Sequence, residues 1–183
     1  MRMLGVDPGS LTTGYGVIDE LARGPAYVAA GTIRTGASGG RAERLHRLHR
    51  QLSAVIEAAR PDLLSLERNF VAANVQSALR LGEARGVVLL AAAQYGLGLF
   101  EYAPAEVKLT VAGNGGAGKQ QVAFFVRRAL GLEESLALAV DATDALAMAL
   151  CHFYRSRSGL GAAWAQGRAR AGRAAGVAGS LRR

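Results

Sequence analysis

Apolar positions run along this chain in two rhythms. Residues 3–7, MLGVD, form a short apolar run that ends in a carboxylate and meets the turn signal Pro8-Gly9-Ser10. Residues 13–18 and 26–35 follow, rich in β-branched, aromatic and small residues between glycine and proline. Such runs predict three consecutive strands, and their short connections predict an antiparallel meander. The rhythm then changes. Leu45, Leu48, Leu52, Val55 and Ile56 recur at helical spacing while Arg44, Arg47 and Arg50 lie mostly opposite, which predicts an amphipathic helix closed by Pro61. Residues 63–67, LLSLE, read as a strand that again ends in a carboxylate.

Asn74 is placed to cap a second helix running to about Tyr95, with Gly96 as its stop. Gly82 and Gly86 share one face of that helix. Glycine costs about 1 kcal/mol there relative to alanine, so close approach of another helix is expected, within the chain or in a second copy. Residues 97–102, LGLFEY, predict a fifth strand. A helical stretch around 105–111 leads into the glycine-rich segment 113–118, then to a helix over 119–130 and a last one over about 140–155. The order βββαβαβαα predicts an α/β fold, a five-stranded mixed sheet flanked by helices.

Composition narrows the class. Half of the 183 residues are hydrophobic, which excludes wholesale disorder and suits one domain with a real core. Cys151 is the single cysteine, so no disulfide framework exists, and a reducing compartment, the cytoplasm, is expected. The longest apolar run, Val87 to Ala93, falls far short of a bilayer span, so no membrane association is expected. The opening MRMLGVDPG holds a glycine and an aspartate where a signal peptide would need an apolar core. The net charge of +8 is unevenly spread: seven arginines and no acid lie between Arg155 and Arg183, leaving 15 basic and 14 acidic groups in the body. The chain therefore divides into a domain over 1–156 and a basic Arg/Ala/Gly-rich tail over 157–183, expected to be flexible. The tail's arginines suit phosphates at long range, but an inert solvated end explains them equally well.

The carboxylates carry the chemistry. Two of only five aspartates fall in Asp141-Ala-Thr-Asp144, on one side of the last helix. Taken alone, that pair serves equally well as first-turn capping, because a helix N-terminus favours negative charge. Asp7 and Glu67 change the balance, since each ends an apolar strand, where charge is costly unless paired or bound to a cation. If their strands are adjacent and parallel, both carboxylates share one sheet edge, and the last helix can deliver two more. Four such groups cannot all stay ionised without a counter-charge. A hard cation such as Mg²⁺ supplies it, and a pair of such ions suits in-line attack on a phosphodiester. Lys108 and Lys119 are the only lysines beside 20 arginines, which hints at a need for a compact ammonium.

LGVDPGSLTTGYGVI, LSLERNF, SALRLGEARGVVLLAA, FEYAPAEVKLTVAGNGGAGKQQV and DATDALAMAL together resemble the bacterial RuvC Holliday-junction resolvases, in order and over most of residues 3–153. The resemblance implies an RNase H-like fold, a homodimer, and Mg²⁺-dependent paired nicking of a four-way DNA junction in recombination and repair. It implies two Mg²⁺ ions per site, with Mn²⁺ as a substitute, and RuvA and RuvB as branch-migration partners. By family position the catalytic metal ligands are Asp7, Glu67, Asp141 and Asp144. Lys119 is then a catalytic and DNA-binding lysine, Lys108 a second DNA contact, and Phe70 an aromatic that stacks on bases near the junction centre. Arg68 and Asn69 are candidates to line the same groove. Arg80 and Arg85 are expected as helix-surface charges or dimer-edge contacts, the three histidines as structural or solvated, and Cys151 as a small core residue.

Three other readings stay open on the residues alone. The Asp7-Pro-Gly-Ser turn with Thr12, Thr13 and Gly14 also resembles the phosphate loop of actin-like and sugar-kinase ATPases, although this chain is too short for the two halves they need. An RNase H-like nuclease acting on RNA–DNA hybrids or flaps would carry the same acids. A non-catalytic DNA-binding module would lean on the basic tail.

Overall fold

The computed structural model of the chain describes residues 1–36, 39–68 and 75–158. Asn69, Phe70, the expected cap Asn74 and the tail from residue 159, with Trp164, lie outside the described residues. The described chain forms β1 (Arg2–Asp7), β2 (Thr12–Leu21), β3 (Gly24–Arg34), α1 (Arg41–Ala59), β4 (Leu63–Glu67), α2 (Val75–Gln94), β5 (Gly98–Tyr102), α3 (Pro104–Ala112), α4 (Lys119–Leu130) and α5 (Val140–Arg157). The stretch expected around 105–111 is thus a full helix, and the order closes on three helices rather than two. Its ends explain why: Pro104 opens α3, the Glu106 carboxylate accepts the Ala103 N–H at 2.8 Å, and Gly113 ends it at a φ of +73°.

The five strands lie in the order β3-β2-β1-β4-β5. β1, β2 and β3 form the antiparallel meander, whereas β1–β4 and β4–β5 are parallel. Side chains alternate across the strands. Met3 and Ile18 pack beneath α3, α4 and α5, while Leu4, Val6, Val17, Leu64 and Leu66 pack beneath α1 and α2. Among the described residues no helix is long and apolar enough to cross a membrane.

α5 is the most enclosed element: every residue from Ala145 to Phe153 is buried. It sits this deep because the strands beneath it carry glycines. A Cβ at Gly5 would overlap the Ala145 carbonyl oxygen, one at Gly14 would overlap the Asp141 carbonyl oxygen, and one at Gly16 would lie 2.7 Å from the Leu146 side chain. The helix backbone therefore rests directly on β1 and β2. Gly5→Ala is predicted to lower stability by about 1–3 kcal/mol, the usual cost of overpacking, read as a lower urea midpoint; an unchanged midpoint would show that α5 is not seated on this strand.

Candidate active site

β1 and β4 run side by side and parallel, paired up to Val6 and Leu66, so the next residues, Asp7 and Glu67, emerge at the same edge of the sheet. Asp7 also lies opposite Gly14 on β2, and Gly14 is the residue on which the Asp141 carbonyl rests. The first turn of α5, with Asp141 and Asp144, is thereby set over the end of β1. The conditional reading of the sequence is met: the strands are neighbours, they are parallel, and the last helix arrives at their carboxyl ends, where open α/β sheets bind ligands.

The electrostatics register this convergence. Burial pushes the Asp7 carboxyl up to about 7, and the nearby charges of Asp144, Glu67 and Asp141 push the same way against Lys119. Glu67 is also raised, first by burial and then by Asp144, with Lys119, Arg85 and Lys108 opposing. Lys119 opens α4, and its exposed ammonium donates to the Asp144 carboxylate at 3.0 Å. That bond and the surrounding acids raise the lysine's own pKa. Lys108, half-buried on α3, is close enough for its charge to act on Glu67.

As they stand, the side chains do not close into a ligand set: among the described residues no three acidic, histidine or cysteine groups are gathered tightly enough to hold one metal ion. The donor chemistry still fits a hard cation. The described residues bring carboxylates to this edge, one of them, Asp7, raised to about 7 by burial and like charge, and the Lys119 ammonium bonds to another, Asp144.

The remaining expected site residues divide. Arg68 is exposed, yet its guanidinium donates to the Glu101 carbonyl at 3.0 Å and lies 3.8 Å from Glu106. Asn69 and Phe70 lie outside the described residues. His152 is buried in the core with Nδ1 2.7 Å from the Tyr102 hydroxyl, and burial depresses it to about 4, so it is structural as expected. Cys151 is buried beside it. Arg80 is exposed, whereas Arg85, expected as a helix-surface charge or dimer-edge contact, is largely enclosed and bonds to the Glu67 carbonyl and the Glu101 carboxylate. A signal for this was present, because Arg85 falls at helical spacing with Val88 and Ala92, on the buried face of α2.

The model of the family described as crossover junction endodeoxyribonuclease RuvC matches residues 3–152. The chain belongs to the RuvC family. A crossover junction endodeoxyribonuclease RuvC of Pseudomonas aeruginosa is 49% identical over 156 residues, covering 85% of this chain and 88% of that one. One from Myxococcus xanthus is 47% identical over 175 residues, covering 96% of this chain and 92% of that one. The solved structure of Thermus thermophilus RuvC in complex with a Holliday junction substrate superposes with a TM-score of 0.80 at 34% identity, covering 87% of this chain and 97% of that one. The yeast mitochondrial resolvase Ydc2, at 13% identity and a TM-score of 0.60, shares the fold.

A raised Asp7 has a consequence for stability. Folded, this carboxyl holds its proton up to about 7, whereas in the unfolded chain it releases it near the ordinary aspartate value of about 4. Between those values the folded state binds the extra proton, so its contribution is present at low pH and lost as pH rises. In the presence of chelator, Asp7→Asn is predicted to stabilise the protein at about pH 8 by about 2–4 kcal/mol, at roughly 1.4 kcal/mol per pH unit, and to make little difference near pH 4. Thermal melts across that range check it; parallel profiles for the two proteins would contradict the crowding of charge.

Proposed function

We propose that the chain is a structure-selective endonuclease that resolves four-way DNA junctions by paired, symmetric nicks, through metal-assisted phosphodiester hydrolysis in recombination and repair. The observation that carries this reading is the meeting of two strand-end acids and the first turn of α5 at one sheet edge, in a member of the RuvC family. Residues 1–156 form the nuclease domain in this proposal, and the arginine-rich 157–183 is appended to it.

Asp7, Glu67, Asp141 and Asp144 would hold the metal, with Mg²⁺ as the physiological ion, two per site, and Mn²⁺ as a substitute. When bound, such ions lower the pKa of an attacking water and neutralise charge on the leaving 3′ oxygen. The protein's own part is placement. Burial at the strand ends keeps bulk water from screening the acids, and the seating of α5 on Gly5 and Gly14 fixes the Asp141/Asp144 turn relative to Asp7. Lys119 bonds to Asp144 and keeps an otherwise exposed ammonium, which in this reading transfers to the scissile or an adjacent phosphate as DNA arrives. Lys108, close to Glu67, is proposed as the second phosphate contact, Phe70 as the stacking residue, and Arg68 and Asn69 as flanking contacts.

Two matched nicks call for two sites related by a two-fold axis. Val75, Leu79 and Leu90 are 76%, 60% and 53% exposed, and they share a face of α2 with Gly82 and Gly86, where an added Cβ would meet nothing. The close helix approach expected at those glycines is thus absent within the described chain, and we assign this stripe to a second copy of the protein. RuvA and RuvB are the proposed partners in branch migration, and the cytoplasm the proposed compartment.

The test offers labelled four-way junction, linear duplex and RNA–DNA hybrid with and without Mg²⁺. Symmetric nicks in the junction alone are predicted, with Asp7→Asn reducing cleavage roughly a hundredfold or more while junction binding persists. Preferential cutting of the hybrid, or an active Asp7→Asn protein, would overturn the reading. Leu79→Glu is predicted to shift sedimentation from dimer to monomer and to abolish paired nicking; a parental protein that sediments as a monomer even on the junction would refute the α2 seam.

A further inference from the structure

Arg85 is an expensive residue for the inner side of a helix. Its side chain is only 20% exposed, and burial lowers its pKa from the usual arginine value, with Glu67 opposing. An ion pair to Glu101, at the end of β5, accounts for one arm of the guanidinium. The other arm donates to the backbone carbonyl of Glu67, at the end of β4.

The strand register explains why that carbonyl needs a donor. Arg68 gives its N–H to the Tyr102 carbonyl, so the polar groups of Arg68 face β5. Backbone groups of successive strand residues point to opposite sides, so the Glu67 carbonyl faces β1. The β1–β4 pairing runs through Val6 and Leu66. Carried one residue further, it sets Asp7 beside Glu67, and the donor that a parallel ladder would then use belongs to Pro8, which has no N–H. The turn that lets β1 end at Asp7 therefore deprives β4 of its last hydrogen bond, at the peptide that carries Glu67.

We propose that Arg85 is a positioning residue for Glu67: it supplies the ladder donor that Pro8 lacks and ties the ends of β4 and β5 to α2, fixing where the Glu67 carboxylate stands among the other acids. A planar fork suits the task, because it reaches a carbonyl and a carboxylate at once, which a single ammonium on a flexible stem does less well. This inference rests on the assignment of Glu67 to the metal site.

The test compares Arg85→Met, Arg85→Lys and Glu101→Gln with the parent. Mn²⁺ binding is measured by calorimetry on the DNA-free protein, and single-turnover cleavage and junction affinity are measured separately. Arg85→Met is predicted to weaken Mn²⁺ binding about tenfold and slow cleavage about 10–100-fold, the range typical of residues that orient metal ligands, while junction affinity stays within about twofold of the parent. Arg85→Lys should recover part of the ion affinity, and Glu101→Gln, which leaves the bond to Glu67 but frees the fork, should weaken it measurably but less than Arg85→Met does. If Arg85→Met does not fold, the other two variants decide, and parental ion affinity in both overturns the proposal. So does a folded Arg85→Met protein that melts lower but binds Mn²⁺ and cleaves as the parent does. A Glu67→Gln protein with full cleavage would instead remove the site assignment on which the inference rests.

Discussion

Asp7 gives up its proton only near neutrality because it is buried close to Asp144, Glu67 and Asp141, and the fold must hold these groups together against their repulsion. The core supplies the restraint. Two apolar strands, each ending in an acid, are locked in parallel by a sheet whose faces are both covered by helices. A third covalent segment, α5, is driven onto the sheet by burial of its central run from Ala145 to Phe153, and the contact is made backbone to backbone over Gly5 and Gly14. Hydrophobic burial far from the edge thus opposes electrostatic repulsion at the edge, the kind of local strain that functional sites retain.

Lys119 and Arg85 show two ways of offsetting that charge. Lys119 is exposed, bonded to Asp144 through a single contact, and mounted at the start of α4 after a glycine-rich turn, so exchanging its partner requires no rearrangement of the core. Arg85 is largely enclosed and doubly bonded, to the Glu67 backbone carbonyl and the Glu101 carboxylate rather than to the carboxylates of the site. One cation suits transfer to an incoming phosphate and the other suits permanent geometry, a division that follows from the chemistry of ammonium and guanidinium groups.

Much of this was legible in the sequence, for identifiable reasons. The strands and helices were marked by periodicity and punctuation, and the acids were conspicuous because a carboxylate closing an apolar strand is costly. Their convergence depended on one condition, parallel neighbouring strands, which the sheet order satisfies. Features that depend on three-dimensional contact leave little mark on the sequence. Gly5, Gly14 and Gly16 read as ordinary strand glycines until α5 is laid across them. The helix α3 is only partly legible because its signals, Pro104, Glu106 and Gly113, lie at its ends rather than in its apolar pattern. Arg85 reads as a helix-surface charge or dimer-edge contact because arginine is usually exposed, although its spacing with Val88 and Ala92 sets it toward the inner face. Gly82 and Gly86 read as a site of close helix approach, but no helix of the described chain fills the space above them.

The central claim is that acids distant in the chain act jointly on a divalent ion. As they stand these side chains are electrostatically coupled but not gathered around a common centre, so an ion should draw them together. A crystal structure of the protein equilibrated with Mn²⁺, read by anomalous scattering, tests this most directly. The account predicts anomalous peaks at the edge where β1 and β4 end, with oxygens of Asp7 and at least one of Glu67, Asp141 and Asp144 on the same ion. Manganese bound elsewhere, with the four carboxylates still apart and Lys119 still holding Asp144, would contradict it.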